Sequence, residues 1–197
     1  MRPPLDDTAL DIAFREARTH YGFRNEPIDE ALLRRLYDLL KWGPTSMNCQ
    51  PSRYVFVTSV EAKSRLLPAL SEANRDKAYQ AATTVIVAID TCFHEHLPTL
   101  FPSSPNARDR FAANPETASE TAWRNGTLQG GYLIIAARML GLDVGPMSGF
   151  DNAMVDAEFF PDGRYKSNFL VNLGIGDPES LRPRGPRLAF DEVAYVV

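Results

Sequence analysis

The stretch Lys41–Phe56, KWGPTSMNCQPSRYVF, passes from the end of an amphipathic helix through a polar loop into an apolar strand. Its centre, Gly43 to Pro51, holds one glycine, two prolines and a dense set of hydroxyls and amides. Gly and Pro fix such a loop, and the side-chain donors and acceptors can serve either the backbone or a ligand. Loop chemistry alone leaves two readings open. One is a self-satisfied helix-to-strand connector, and the other is the wall of a binding site.

On the N-terminal side, Asp29 to Trp42 reads as a helix. Leu32, Leu33, Leu36, Leu39 and Leu40 follow the i, i+3, i+4, i+7 rhythm, and Gly43-Pro44 stops it. Thr8 to Thr19 reads as an earlier helix with Asp6 or Asp7 as its N-cap. It leads into a basic, aromatic turn, Arg18 to Arg24. On the C-terminal side, Arg53 to Thr58 reads as a strand, Ser59 to Leu70 as a helix, and Ser71 to Lys77 as an exposed polar link. Thr83 to Ile89, TTVIVAI, is apolar and β-branched almost throughout, which suits a strand buried on both faces. Residues 91–118 read as a long excursion with a short helix near Asn106 to Ala112.

Thr117 to Leu140 is the longest helix expected, capped by Gly141. Ala122, Gly126 and Gly130 fall four apart on one face. Glycine inside a helix costs about 1 kcal/mol relative to Ala, so close packing must offset it. That packing comes either from a helix of a second copy or from within one subunit. A second Gly/Pro loop follows, Gly145 to Phe150, and then a last strand, Ser167 to Ile175.

The chain has 197 residues, 44% apolar and 23% charged, with a formal net charge of −4. This composition is that of a single globular domain, 1–197, able to bury its own core. An acidic chain argues against general nucleic-acid binding, and no 18-residue apolar run suggests a membrane span. The acidic N-terminal stretch does not read as a secretory signal, so a cytoplasmic location is the expectation. Two cysteines, Cys49 and Cys92, are too few for a disulfide framework or a structural zinc site. His94 and His96 lack a third ligand in sequence, and no metal is expected. No phosphate-loop or H-E-x-x-H motif occurs, and Gly174-Ile175-Gly176 runs into Asp-Pro instead of opening a helix. Two basic clusters remain, Arg18, His20 and Arg24 near one end and Arg182, Arg184 and Arg187 near the other. Each could be a solvated surface. Together they could cradle a dianion, because arginine forks bind phosphate bidentately.

Taken in order, the early Arg18, the G-P-T-S-M-N-C-Q-P loop, the G-P-M-S-G-F loop after a long helix, and the terminal arginines before F-D-E-V form a set. It resembles the FMN-dependent nitroreductase family over essentially the whole chain. The segments ARTHYGFR, KWGPTSMNCQP, LGLDVGPMSGFD and KSN look like the branch that includes the malonic semialdehyde reductase of bacterial pyrimidine breakdown. The resemblance implies an α+β nitroreductase-like fold, a mixed central β-sheet flanked by helices, in an intertwined homodimer. It implies FMN as cofactor and NADH or NADPH as transient hydride donor in a ping-pong relay. The implied acceptor is a small electrophile such as malonic semialdehyde, reduced to 3-hydroxypropionate, with nitroaromatics and quinones as side substrates.

Position by position, the resemblance places Arg18, Thr19 and His20 on the FMN phosphate and ribityl chain, closed over by Arg184 and Arg187. It places Asn74 on the pyrimidine edge of the flavin and Lys77 on its O2 side. Pro44, Thr45, Ser46 and Asn48 match the loop that covers the flavin of the other subunit. Pro146, Met147, Ser148 and Gly149 match the loop whose backbone N–H groups face N5. Two positions depart from the family pattern. Gly22 stands where many relatives have a basic residue, leaving Arg24 as the substitute, and Ser148 stands where others have Glu. The chemistry belongs to the cofactor, so no Ser, Cys or His nucleophile is needed and Cys49 reads as a bystander. The rival expectations are a flavin-binding module without turnover and a dehalogenase-type relative.

Overall fold

The computed structural model describes residues 3–24 and 26–197. The expected first helix is short: α1 (Asp7–Leu10), capped by the Asp6 side chain on the Ala9 N–H at 2.8 Å, followed by a π-type turn ending at Arg15. It stops there because Thr19 is drawn into a parallel bridge with Val144, and His20 N–H donates to the Val144 carbonyl at 3.0 Å. A two-residue strand, β1 (Phe23–Arg24), follows. Then come α2 (Glu30–Leu40), β2 (Ser52–Val57), α3 (Val60–Leu66), α4 (Glu72–Gln80) and β3 (Thr83–Asp90). The chain continues through α5 (Leu97–Leu100), α6 (Ala107–Ala112), α7 (Pro115–Met139), β4 (Asp143–Met147), α8 (Asn152–Phe159), β5 (Tyr165–Gly176) and α9 (Phe190–Val193).

Among the described residues five strands form one sheet in the order β1-β5-β3-β2, with β4 pairing β5 off this path. The expected mixed sheet is antiparallel in all of its ladders, and its parallel component is the Thr19–Val144 bridge. Every residue of β3 is buried, as its unbroken apolar run requires. The two-residue period splits its side chains between two cores. Val85 and Val87 join Leu36 and Leu40 of α2 and Leu133 and Ala137 of α7 on one face. Ile86 and Ala88 join Leu66 of α3, Ala78 of α4 and Val155 of α8 on the other. The sheet is therefore the middle of three layers. The 91–118 excursion adds a third cluster, in which Phe93, Leu97 and Ala107 pack against Ala118 and Ala122 of α7.

The stripe on α7 is settled by the sheet beneath it. A Cβ on Gly126 would lie 2.5 Å from Ile89 Cγ2, and one on Gly130 would lie 2.3 Å from Phe169 Cζ. Both glycines let α7 lie directly on β3 and β5 of its own subunit, and a helix from a second copy is not what they accommodate. The expected exposed link at Ser71–Lys77 is also corrected: most of it is the first half of α4, with Asn74 and Ala78 buried. The first part of the 145–150 loop is strand β4, where Pro146 pairs with Val171 on the outer edge of β5. Proline is tolerated there because an edge strand has N–H groups that no ladder needs. Among the described residues no helix is long and apolar enough to cross a membrane.

Candidate functional site

Two adjoining cavities gather residues from four distant parts of the chain. The first, of about 210 Å³, is lined by Arg18, Arg138, Arg182, Arg184 and Arg187 together with Thr19 and Tyr21. The second, of about 240 Å³, is lined by Thr19, His20, Tyr21, Asn74, Lys77 and the β4 residues Gly145, Pro146 and Met147, with Ser148 just beyond. They share Thr19 and Tyr21. The site thus runs from a purely cationic end to an amide- and backbone-rich end.

Local structure fixes each part. The Gly145 position has no room for a Cβ, which would stand 2.7 Å from the His20 carbonyl oxygen. That close approach seats Thr19–Tyr21 along β4. The His20 ring is pressed onto Gly176, where a Cβ would come within 2.2 Å of it. Its buried Nδ1 lies 3.4 Å from an Asp143 oxygen but makes no aligned hydrogen bond. At the other wall, the Gly149 carbonyl accepts from Asn74 Nδ2 and from the Ser71 N–H, both at 3.0 Å. This staples the loop after β4 to the start of α4. Asn74 Oδ1 accepts from Lys77 Nζ at 3.0 Å. Desolvation, and then the charge of Arg182, push the Lys77 pKa down. Tyr21 lies between Lys77 and Arg182, whose cationic groups stand 4.7 and 4.3 Å from its ring centre.

The terminal arginines reach the site by crossing back over the start of the chain. Arg18 donates to the Arg182 carbonyl, and Arg184 donates to the Ala17 carbonyl at 3.0 Å. Among the described residues Arg187 donates only to the Gly185 and Pro186 carbonyls of its own segment. The two basic clusters therefore meet, with one exception. Arg24 stands exposed on β1 and lines neither cavity, because pairing of Arg24 with Ile175 in the sheet holds it away from the turn. Tyr21 and Arg138 belong to the site and were not singled out from sequence. A lone cation in the apolar run LIIAARML was the available signal for Arg138.

Pro44, Thr45, Ser46 and Asn48 line neither of these cavities. Their loop is nonetheless held in a costly shape. Met47, Asn48 and Gln50 have φ of 54°, 50° and 39°, a region that costs non-glycine residues roughly 1–2 kcal/mol each. The Ser46 N–H donates to Asn125 Oδ1 at 2.8 Å, Asn48 Nδ2 to the Leu100 carbonyl at 3.0 Å, and the Gln50 N–H to Thr45 Oγ1 at 3.2 Å. These bonds hold the loop in its strained shape. Cys49 in its midst is buried, and desolvation pushes its thiol pKa up to about 11, which makes it inert at neutral pH. His96 lies 3.7 Å from Asp90, a fully buried carboxylate already held by Arg53 and Arg164.

Comparison with known proteins gives the family. The family model described as the nitroreductase family matches residues 14–175. A protein of Burkholderia lata, provisionally named NADH dehydrogenase/NAD(P)H nitroreductase, is 58% identical over 192 residues, covering 98% of each chain. A nitroreductase from Exiguobacterium sibiricum, solved in complex with FMN, superposes with a TM-score of 0.85 at 19% identity, covering 100% of this chain and 99% of its own. A gut-bacterial enone reductase of fatty acid saturation gives a TM-score of 0.83 at 20% identity, covering 98% of this chain and all of its own. The sheet, the paired cavities and the match across most of the sequence make one statement: this chain belongs to the nitroreductase family.

Proposed function

We propose that the protein is an FMN-dependent NAD(P)H oxidoreductase that reduces a small electrophile. The observation that carries the reading is the five-arginine cavity joined at Thr19 and Tyr21 to one holding Asn74 and Lys77. These residues fit the two ends of FMN. Several guanidinium forks match a dianionic phosphate, and a primary amide beside an ammonium matches the donor–acceptor edge of a flavin pyrimidine. Arg18, Arg184 and Arg187 would hold the phosphate, Thr19 and His20 the ribityl chain, and Asn74 and Lys77 the pyrimidine edge. When bound, FMN would supply the hydride chemistry between the nicotinamide and the acceptor. Lys77 would reach the same edge of the ring, and the 146–149 segment would offer it backbone groups held by the Gly149–Asn74 hydrogen bond. Ser148 and Gly149 act through that backbone, since neither offers an acidic side chain.

The same proposal includes a homodimer in which Pro44, Thr45, Ser46 and Asn48 complete the partner's site. Its support is the strained loop lying off its own cavities, together with large apolar side chains left in water. Trp42 is 79% exposed, and Leu188, Phe190, Val193, Tyr195 and Val196 on the C-terminal segment are each more than 60% exposed. Large exposed apolar side chains of this kind support an interface. Sedimentation should give a dimer at micromolar concentration, and a monomer with full flavin occupancy would refute the shared site. Malonic semialdehyde is the first acceptor to assay, on the strength of the motif resemblance, with nitroaromatics and quinones alongside.

The purified protein should be yellow, release FMN on denaturation, and bleach anaerobically on addition of NADH or NADPH. Colourless protein that cannot be loaded with FMN would overturn the reading. Yellow protein inert to both nicotinamides would favour a flavin-binding module instead.

A further inference from the structure

The arginine cavity has a feature that the sequence motifs do not cover. Four of its cations come from near the chain ends, Arg18 on one side and Arg182, Arg184 and Arg187 on the other. The fifth, Arg138, comes from the last turn of α7, a 25-residue helix that lies across the core. Its position therefore does not depend on the C-terminal segment being in place. Three of the others are already engaged with backbone, and Arg182 lies against the Tyr21 ring. Arg18 and Arg184 bridge the two chain segments, and Arg187 folds onto its own carbonyls.

Arg138 is different. Among the described residues its Nη1 makes a single long bond, to the Ala13 carbonyl at 3.3 Å, and its Nε is buried with no partner. A buried N–H of a charged group is costly to leave unpaired and asks for an explanation. Burial and the nearby Arg184 both disfavour its charge, with Asp143 opposing them. A cation in the last helical turn is favoured by the helix dipole, but that accounts for the residue type and not for the unpaired Nε. Five guanidiniums line this cavity, and among the described residues no carboxylate does. Such a set repels itself until an anion with several acceptor oxygens enters, and a phosphate monoester has three.

We propose that Arg138 is the fixed anchor of a phosphate group in this cavity, the residue by which the site discriminates a phosphate monoester from its unphosphorylated counterpart. Where the ligand is FMN, this rests on the function proposed above, and the discrimination is FMN over riboflavin. The terminal arginines then close over a phosphate already seated on the core.

The test uses the full-length apo-protein, wild type against Arg138→Met and Arg138→Lys. FMN and riboflavin affinities are read by flavin fluorescence, and orthophosphate binding by thermal shift at constant ionic strength. Arg138→Met should weaken FMN by about 10- to 100-fold while changing riboflavin less than about twofold, and should abolish the shift given by orthophosphate. Arg138→Lys should recover part of the FMN loss, because it keeps a charge but loses the fork. An unchanged ratio of FMN to riboflavin affinity, or orthophosphate stabilising the Met variant as well as wild type, overturns the inference. Should Arg138→Met fail to fold, the Arg138 Nε–H resonance of the wild type decides. It should shift on orthophosphate addition, and a resonance that stays put overturns the assignment. Wild type that binds orthophosphate through Arg138 but does not bind FMN would keep this inference and remove the proposed cofactor. FMN binding that is indifferent to Arg138 would do the reverse.

Discussion

Arg18→Ala combined with Arg184→Ala is expected to yield folded, colourless protein. In the proposed cradle each substitution removes a charge-assisted bond to the phosphate, about 1.5–3 kcal/mol, so FMN should bind roughly 10²- to 10⁴-fold more weakly. The protein should survive the change. Neither side chain is buried, and the bonds they lose, Arg18 to the Arg182 carbonyl and Arg184 to the Ala17 carbonyl, lie at the surface. Surface polar contacts of this kind contribute within about 0.5 kcal/mol. Equilibrium FMN titration and thermal melting of the apo-protein check the two halves separately. Riboflavin affinity should be nearly unaffected, which separates loss of a phosphate partner from general damage to the site. FMN affinity within twofold of wild type would remove both arginines from the phosphate cradle.

The Gly126→Ala/Gly130→Ala double variant should lose about 3 kcal/mol of stability. Two effects compete. Alanine in place of glycine favours a helix interior by about 1 kcal/mol per position. Against that, the new methyl groups would stand 2.5 Å from Ile89 Cγ2 and 2.3 Å from Phe169 Cζ. Ile89 is 2% exposed in the middle of the molecule, and Phe169, partly buried, packs on the main core, so each must shift against packed neighbours to make room. Overpacking costs typically 1–3 kcal/mol per site, and here it wins. For a chain of this size the melting temperature should fall by about 6–12 °C. A raised melting temperature would mean that helix propensity dominates and that the packing on β3 and β5 is looser than described. A variant of normal stability whose association state alone differs from wild type would return the stripe to a contact between copies.

Much of the fold is legible in short windows. The apolar rhythm of α2 and its Asp29 cap, which accepts from the Leu32 N–H at 2.7 Å, are local facts of sequence. So are the unbroken apolar run of β3 and the capped length of α7. Other elements have no local signature. The first half of α4, EANRDK, carries no apolar stripe, and its helix is held by Asn74 and the loop after β4. β4 looks like a turn because it contains Gly145-Pro146, and it is a strand because β5 offers it a free edge. Leu39 fits the α2 repeat and yet is 46% exposed.

The site divides in the same way. Sequence by itself determined which residue types are present: arginines near both ends, a polar Gly/Pro-fixed loop at Lys41–Phe56, and an amide and a lysine at positions 74 and 77. It determined the family through the order of those motifs. Only the tertiary structure decided which of them meet. It brought Arg18, Arg184 and Arg187 together, left Arg24 on the sheet, and added Tyr21 and Arg138. It also placed Thr45, Ser46 and Asn48 away from both cavities. The physical reason is that helix and strand formation depend on periodicities a few residues long. The convergence of residues more than a hundred positions apart depends on how the sheet orders its strands, and on which backbones come close enough to exclude a single Cβ.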